Sequence, residues 1–175
     1  MEYTLTPVGE SDRVIIRNLG KFYFYDMAEH GGWPFPDNGE FDIENRLENY
    51  WGLPGLREWP ADWKGFAFLI RVDGHPAGFA LVKQIGPDTY DMGEFFIGRQ
   101  YRRKGLGEKI ATSLFDKFPG NWELRELTTN TGAQAFWRKI VHAYTGGNFS
   151  DGEEEFDAYD NVRFVVQRFK SHGFA

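Results

Sequence analysis

Tyr101-Arg102-Arg103-Lys104-Gly105-Leu106-Gly107 follows an apolar run, residues 94–97 (Glu-Phe-Phe-Ile), and precedes an amphipathic segment, residues 108–118. A buried strand, a basic glycine turn and a helix in this order form a site for phosphate, because the first amides of a helix lack partners and its dipole favours negative charge. Gly105 and Gly107 have no Cβ, so a ligand can approach the main chain closely. The alternative interpretation is a plain basic turn between a strand and a helix.

The composition predicts one soluble domain, residues 1–175. Aromatic residues make up 18% of the chain, which predicts a core or cleft rich in rings. The net charge of −6 argues against a nucleic-acid partner, so the basic turn suits a small anionic ligand better than a polymer. The chain has no cysteine, which excludes disulfides, thiolate metal sites and a cysteine nucleophile. No stretch has the form of a signal peptide or a membrane span, which predicts a cytoplasmic protein without a membrane partner.

Strand patterns recur along the chain and are joined by short turns. Residues 66–72 and 77–85 flank Asp73-Gly74, a strong hairpin signal. The strand 122–128 comes after the helix that follows the basic turn, so we expect it to lie parallel to the strand 89–97. The remaining predicted strands are residues 3–8, 143–148 and 162–169. Together these patterns predict an α+β fold with a mixed, mostly antiparallel sheet.

Helical spacing of apolar residues predicts a first helix that begins at Ser11 or Asp12 and runs to about residue 29. Its buried face is predicted to consist of Ile15, Leu19, Phe22 and Tyr23. A second helix is predicted over residues 41–51 and is ended by Leu53-Pro54-Gly55. The strongly acidic stretch 150–160 is predicted to be an exposed hairpin loop.

The basic turn, residues 102–107, resembles the signature of the GCN5-related N-acetyltransferases (GNAT), which is Arg or Gln, two residues, Gly, one residue, then Gly or Ala. A second signature of that family has Asn, then Ala three residues on, then an apolar residue and a Tyr on the following helix. The matching positions here are Asn130, Ala133, Phe136 and Trp137. The order of elements resembles the GNAT fold along nearly the whole chain, which implies helices on both faces of the sheet.

Competing phosphate motifs fit less well. A Walker loop needs Gly-Lys-Ser/Thr, which is absent, and the dinucleotide fingerprint needs a third small residue near position 110, which is Ile110. Residues 94–97, 118–122 and 136–139 also resemble a branch of bacterial acetyltransferases. This resemblance does not indicate which substrate the branch acts on.

By this resemblance the ligand of the turn is acetyl-coenzyme A, and no metal takes part. Amides of about residues 103–107 would hold the pyrophosphate, and Arg102 would shape the loop or add charge. The edge of strand 89–97, splayed from strand 122–128, would pair with the pantetheine arm. Asn130 would contact the cofactor or serve as a plain helix N-cap. The implied cofactor contacts are Phe95, Phe96, Ile97, Arg102, Arg103, Lys104, Gly105, Leu106, Gly107, Asn130, Ala133 and Phe136.

The implied chemistry is direct attack of an amine on the thioester, which needs a base for the amine and a proton for the leaving thiolate. Many family members use a Tyr at the position of Trp137, whose indole donates a hydrogen bond but cannot act as an acid. Tyr144 and Tyr101 are the substitutes nearest in sequence, and unassisted departure of the thiolate is the alternative. Glu94 is the predicted base, with a structural ion pair as its alternative role.

In this family the region from residue 26 to 60 usually walls the acceptor site. Its acidic and aromatic side chains predict a small cationic amine as acceptor, and a solvated acidic loop with aromatic packing is the alternative. These side chains are Asp26, Glu29, Asp37, Glu40, Asp42, Trp33, Phe35, Trp51 and Trp59. Asp26, Glu29 and His30, at the end of the first helix, are also alternative candidates for the base. Two other functions stay open, an acyl-CoA sensor without turnover and a protein Lys or N-terminal acetyltransferase. The sequence leaves the oligomeric state open, with a homodimer as one option.

Overall fold

The computed structural model describes residues 1–51, 59–156 and 162–173. The strands are β1 (Tyr3–Pro7), β2 (Lys64–Val72), β3 (His75–Gly86), β4 (Thr89–Ile97), β5 (Gly120–Leu127), β6 (Phe149–Phe156) and β7 (Val162–Ser171). The helices are α1 (Arg13–Gly31), α2 (Glu44–Leu47), α3 (Leu106–Lys117) and α4 (Thr131–Thr145). Short 3-10 turns lie at Glu10–Asp12, Glu48–Trp51 and Arg99–Tyr101.

The described strands form one sheet in the order β1-β2-β3-β4-β5-β7-β6. Neighbours are antiparallel except β4 and β5, which are parallel and connected through α3. The parallel pair is therefore confirmed, as is the hairpin at Asp73-Gly74, where Asp73 has a φ of 48° and Gly74 a φ of 81°. Both residues lie in the left-handed region that a tight hairpin turn needs.

Helices cover both faces of the sheet, as the resemblance implied. Helices α1 and α2, with Ile43 just before α2, cover one face of the sheet. Their buried residues Ile16, Phe24, Ile43 and Leu47 pack against Leu69, Phe79, Leu81 and Phe96. Helices α3 and α4 bury the other face, where Phe115 and Trp122 meet edge to face with ring centroids 4.9 Å apart. The predicted fold class is confirmed.

The buried face of α1 differs from the prediction. Ile16, Gly20 and Phe24 are buried, whereas Phe22 is 63% exposed, so its predicted burial is wrong. A residue two positions from both Gly20 and Phe24 points to the opposite side of a helix with 3.6 residues per turn. The predicted cap is also absent, because Asp12 makes no side-chain cap bond and instead contacts Arg71 at 3.3 Å.

Two predictions in the last third of the chain are wrong. Residues 143–145 continue α4, which ends at Gly146 with a φ of 63°, so no strand forms over 143–148. The acidic residues of 149–156 form β6 instead of a loop, because Arg163 and Arg168 of β7 pair with Glu155 and Glu154 across the ladder. Leu53-Pro54-Gly55 and residues 157–160 of the predicted acidic loop lie outside the described residues.

Candidate active site

A gap opens between β4 and β5 one residue before a bulge in β4. The two strands pair only from Thr89 to Asp91 on β4. On its other side β4 stays paired with β3, but the register shifts so that Gly93 is the extra residue. A bulge bends and twists its strand, which separates the rest of β4 from β5. The predicted splay therefore has a local cause in the sequence, a glycine inside a strand.

Gly93 has no room for a side chain. A Cβ there would collide with the Tyr50 hydroxyl and come within 2.5 Å of the Lys83 side chain. Beyond it, the edge of β4 that faces β5 has main-chain groups without a strand partner among the described residues. Such an edge can bind an extended ligand with amide groups.

A cleft of about 880 Å³ occupies this gap. Its walls are the second half of β4, the basic turn, the last residues of β5, the first half of α4 and the end of α1. It therefore joins the predicted cofactor turn to the region predicted to bind the acceptor. Asp91 is buried where the strands diverge, with Lys83 at 3.5 Å and Arg125 at 3.6 Å.

The basic turn leads into α3 without a side-chain cap. Gly105 is the N-cap residue with a φ of 77°, and Arg103 has a φ of 61°, so both use the left-handed region. A Cβ on Gly105 would touch no described atom within 4 Å, so space is open beside this helix start. Leu106 is fully buried and anchors the helix, while Lys104 is exposed. Uncapped amides beside cations fit the phosphates of an acyl-CoA.

The side-chain hydrogen bonds of Arg102 hold the turn in place. Its Nε donates to the Ile97 carbonyl at 2.7 Å, and its guanidinium donates to Asp26 of α1 at 2.8 Å. Asp26 also accepts from Arg99 at 2.7 Å. Burial acts to raise the pKa of Asp26, but the hydrogen bonds from Arg102 and Arg99 outweigh it and hold that pKa below its ordinary value. Asp26 thus ties α1 to the turn, a role that sequence reasoning missed.

Gly107 faces an aromatic wall. A Cβ there would lie 3.0 Å from the ring of Phe136, so the glycine allows α4 to pack closely against α3. Phe136 stacks on Phe95 of β4 at 6.0 Å, and Trp137 meets Phe95 edge to face at 5.1 Å. All four residues line the cleft, with Trp137 largely buried.

Asn130 is the N-cap of α4, since its Oδ1 accepts from the Ala133 amide at 3.0 Å. Its Nδ2 lies 3.9 Å from the sulfur of Met27 on α1 and borders the cleft. The cap role is therefore present, and a cofactor contact would come from the amide nitrogen.

Glu94 pairs with a residue that the sequence reasoning placed only in the core. The Tyr23 hydroxyl donates to a Glu94 carboxylate oxygen at 2.6 Å, across the cleft from α1 to β4. Burial raises the pKa of Glu94, while the Tyr23 hydrogen bond and the charge of Lys83 oppose that rise. Burial and then the charge of Glu94 raise the pKa of Tyr23 well above its ordinary value. The hydroxyl therefore stays protonated and orients the carboxylate.

The tyrosines proposed as substitutes for the acid lie elsewhere. Tyr144 packs on Phe115 and Phe169, and its hydroxyl donates to Asp116 near the end of α3 at 2.7 Å. Burial and that bond raise its pKa above the ordinary value. Tyr101 packs at the border of the core. Neither residue is among those that line the cleft.

Glu126 is a cleft residue that sequence reasoning missed. It lies on β5 with 5% of its surface exposed, and neither carboxylate oxygen has a hydrogen-bond partner among the described residues. The sequence does carry a signal for this residue. Positions 122, 124 and 126 of the predicted strand face the same side, and position 126 is acidic where the alternation predicts an apolar residue.

Two of the acidic side chains predicted to surround the acceptor are held in ion pairs. Asp26 is held by two arginines, and Glu40 pairs with Lys21 at 2.5 Å. Arg46 lies over the rings of Phe24 and Trp33, at 5.2 and 5.9 Å. Arg46, Phe24 and Trp33 all line the cleft, which makes this end both aromatic and cationic.

A sequence model of the acetyltransferase (GNAT) family matches residues 25–142. An acetyltransferase structure from Thermus thermophilus is 16% identical, with a TM-score of 0.64 and 97% of each chain covered. A Bacillus subtilis acetyltransferase in complex with CoA is 10% identical, with a TM-score of 0.63, 97% of this chain covered and 99% of that one. The ribosomal-protein-S18-alanine N-acetyltransferase from Escherichia coli is 14% identical, with a TM-score of 0.58, 99% of this chain covered and 97% of that one.

These structural likenesses establish the fold, since the identities are low. No curated protein matches the chain in sequence. None of the helices in the described part of the chain has the length and apolar character that crossing a membrane requires.

Proposed function

The chain belongs to the GNAT acetyltransferase family, and we propose that it transfers the acetyl group of acetyl-CoA to the amine of a small acceptor by direct attack. The observation that carries this proposal is the pair Tyr23–Glu94, held at 2.6 Å beside the splayed edge of β4. It places a carboxylate of raised pKa in the cleft that connects the basic turn to the acceptor end.

The chain's own groups would hold the acyl donor in two places. Amides of residues 103–107, with Arg103 beside them, would bind the pyrophosphate. The unpaired edge of β4 after Asp91 would bind the amides of the pantetheine arm, and an N–H at the bulge would polarise the thioester carbonyl. Acetyl-CoA supplies the thioester whose carbonyl carbon the amine attacks.

Glu94 would take the proton of the acceptor amine. Its raised pKa makes the ionised carboxylate a better proton acceptor than an exposed glutamate, and the Tyr23 hydroxyl holds it in one orientation. A base must be ionised to act, so turnover is expected to rise with pH through the pKa of Glu94.

The acceptor would bind its ammonium group near Glu94 and an anionic group at Arg46. Arg46 is exposed, contacts rings instead of carboxylates among the described residues, and lies close enough to act on the pKa of both Tyr23 and Glu94. The cationic character predicted for the acceptor thus belongs to its amine, and a carboxylate on the same molecule fits Arg46.

Acceptor-dependent release of free thiol from acetyl-CoA tests this function. The panel pairs each amino acid with its decarboxylated amine and adds peptides with free N-termini. We expect turnover with small acceptors and a KM about tenfold lower for the acid of each pair, a preference that Arg46→Gln should remove. Turnover on peptides alone would indicate a protein acetyltransferase. The Escherichia coli enzyme of similar fold is named as an acetyltransferase of this kind. Acetyl-CoA binding without turnover on any acceptor would indicate a sensor.

A further inference from the structure

Glu126 is a buried carboxyl group without a well-formed hydrogen bond in the described structure. Only 5% of its surface is exposed, and neither oxygen meets the geometry of a hydrogen bond with a described residue. The side chain of Gln167 on β7, which is fully buried, lies close enough to lower the pKa of Glu126 as a weak hydrogen-bond partner. Buried polar groups are nearly always hydrogen-bonded, because an unpaired one has lost its hydrogen bonds to water without replacement. Glu126 also lines the cleft, so this carboxyl group borders the space that a bound molecule would fill.

The faces of the sheet separate Glu126 from the proposed base. Along β5, Trp122 and Leu124 pack under α3 and α4, and Glu126 follows on the same face because strand residues alternate. Glu94 lies on the other face, where Tyr23 of α1 contacts it. Glu94 therefore borders the gap on the face covered by α1, where the acceptor is expected. Glu126 borders it on the face covered by α3 and α4, where the cofactor turn lies.

On the cofactor face, Glu108 of α3 also lines the described cleft wall, but it is exposed and pairs with Lys139 at 3.5 Å. Trp137, at the position where the family places a tyrosine, is buried among Phe95 and Phe136 and has no acidic proton to give. Tyr144 donates to Asp116 outside the cleft. Glu126 is the buried carboxyl group that borders the gap on this face.

We infer that Glu126 is a catalytic acid that protonates the thiolate leaving the acyl donor. The inference rests on the proposed acetyl transfer. As the acceptor nitrogen bonds to the carbonyl carbon and the carbon–sulfur bond breaks, the Glu126 O–H proton passes to the sulfur. Glu94 takes the proton of the nitrogen. The products are the acetylated amine and the free thiol, and both carboxyl groups exchange protons with solvent before the next turnover.

The electrostatics of the site agree with this role. Burial raises the pKa of Glu126 to about 8, and the charge of Asp151 adds to that rise. Arg138 of α4 and Gln167 of β7 act in the opposite sense, and Arg138 is itself bound to Asp151 of β6 at 2.5 Å. The carboxyl group therefore carries its proton at neutral pH, as a general acid must.

Glu126→Gln tests the assignment, because it keeps the shape of the side chain and removes the acid. We expect kcat to fall about 10²-fold while the Kd of acetyl-CoA, measured by calorimetry, changes less than about twofold. Wild-type kcat should decline with pH above about 8, and this decline should be absent in Glu126→Gln. Glu126→Asp, which retains an acid, should recover part of the rate and the alkaline decline.

Stability supplies a readout that does not need turnover. The folded chain keeps the Glu126 proton between pH 4.5 and about 8, where the unfolded chain releases it, so wild-type stability should fall with rising pH over that range. Glu126→Gln should remove this fall and melt above wild type at pH 8. The matched control is Glu153→Gln on an exposed part of β6, which should change neither the rate nor the melting profile.

The outcomes separate the two proposals. If wild type turns over and Glu126→Gln keeps its kcat within about threefold, or keeps the alkaline decline, Glu126 is not the acid. If the wild type transfers acetyl to no acceptor, the proposed function fails instead. A wild-type melting profile identical to that of Glu126→Gln would also overturn the inference, since the carboxyl group would then not be buried as a neutral acid.

Discussion

The basic turn and the acceptor end of the cleft are built in different ways. The turn is one continuous segment, and its own bonds are short-range, such as that from Arg102 to the Ile97 carbonyl five residues away. The acceptor end is assembled from distant segments, since Tyr23 and Glu94 are 71 residues apart and Arg46 reaches the ring of Phe24 from another helix. A site of the first kind can be read from neighbouring residues. A site of the second kind depends on how helices rotate and strands register.

One contact links the two regions. Asp26 lies on α1 at the acceptor end, and its carboxylate accepts a hydrogen bond from Arg102 of the turn, 76 residues further along the chain. The turn therefore has a local conformation and a long-range anchor. Substitutions in one region at a time can distinguish the residues that bind the cofactor, those that carry out the chemistry and the contact that links the two regions.

Gly105→Asp breaks the turn and should have the largest effect. It puts a side chain where φ is +77° and adds negative charge at the helix start. Acetyl-CoA at 100 times its Kd should stabilise wild type by about 2.7 kcal/mol, and the variant should lose this stabilisation. A thermal melt with and without millimolar acetyl-CoA measures it.

Gly146→Asp is the matched control for that change. Gly146 also has a left-handed φ, of 63°, and a Cβ there also meets no atom within 4 Å, but it lies at the far end of α4. It should lose stability and keep the shift with acetyl-CoA. If Gly105→Asp keeps the shift as well, the cofactor does not bind at the turn.

Glu94→Gln breaks the acceptor end and should lower kcat by about 10²-fold or more, with little change in the Kd of acetyl-CoA. The rise of kcat with pH should flatten, because the group that must ionise is gone. Tyr23→Phe sharpens this prediction. The Tyr23 hydrogen bond lowers the pKa of Glu94 against the larger effect of burial, so its loss should move the rise to higher pH. If the dependence of kcat on pH is unchanged in both variants, Glu94 is not the base and has a structural role.

Asp26→Asn weakens the link and should have the smallest effect. Its ion pairs with Arg99 and Arg102 are partly exposed, so we expect an increase of only about three- to fivefold in the Kd of acetyl-CoA, with kcat at saturation retained. The lowered pKa of Asp26 stabilises the wild type above the unfolded value of 3.8, and this contribution is lost as pH falls through the folded pKa.

Lys21→Gln controls for breaking an exposed ion pair of α1, since the Lys21–Glu40 pair does not touch the turn. It should leave the Kd of acetyl-CoA unchanged. Equal effects of Lys21→Gln and Asp26→Asn would mean that the link from α1 does not support the turn.

Much of the fold followed from local patterns. The hairpin at Asp73-Gly74 and the apolar stripe of α3 depend on residues close in sequence, and both predictions are confirmed. The buried face of α1 was wrong at Phe22, because a helix turns by about 100° per residue and the packing selects between adjacent stripes. The prediction of a loop for the acidic stretch was wrong over residues 150–156, because its arginine partners on β7 become neighbours only when the strands pair.

The sequence by itself determined the glycine turn, the parallel crossover behind it and the tryptophan at position 137, because each is a property of one short segment. Only the tertiary structure decided that Tyr23 holds Glu94, that Asp26 anchors the turn, and that Glu126 is buried at the gap. Those facts join residues from different elements, and strand register, helix rotation and the bulge at Gly93 bring them together. Burial and charge act through space, so the chemistry of these groups is set by neighbours that are distant along the chain.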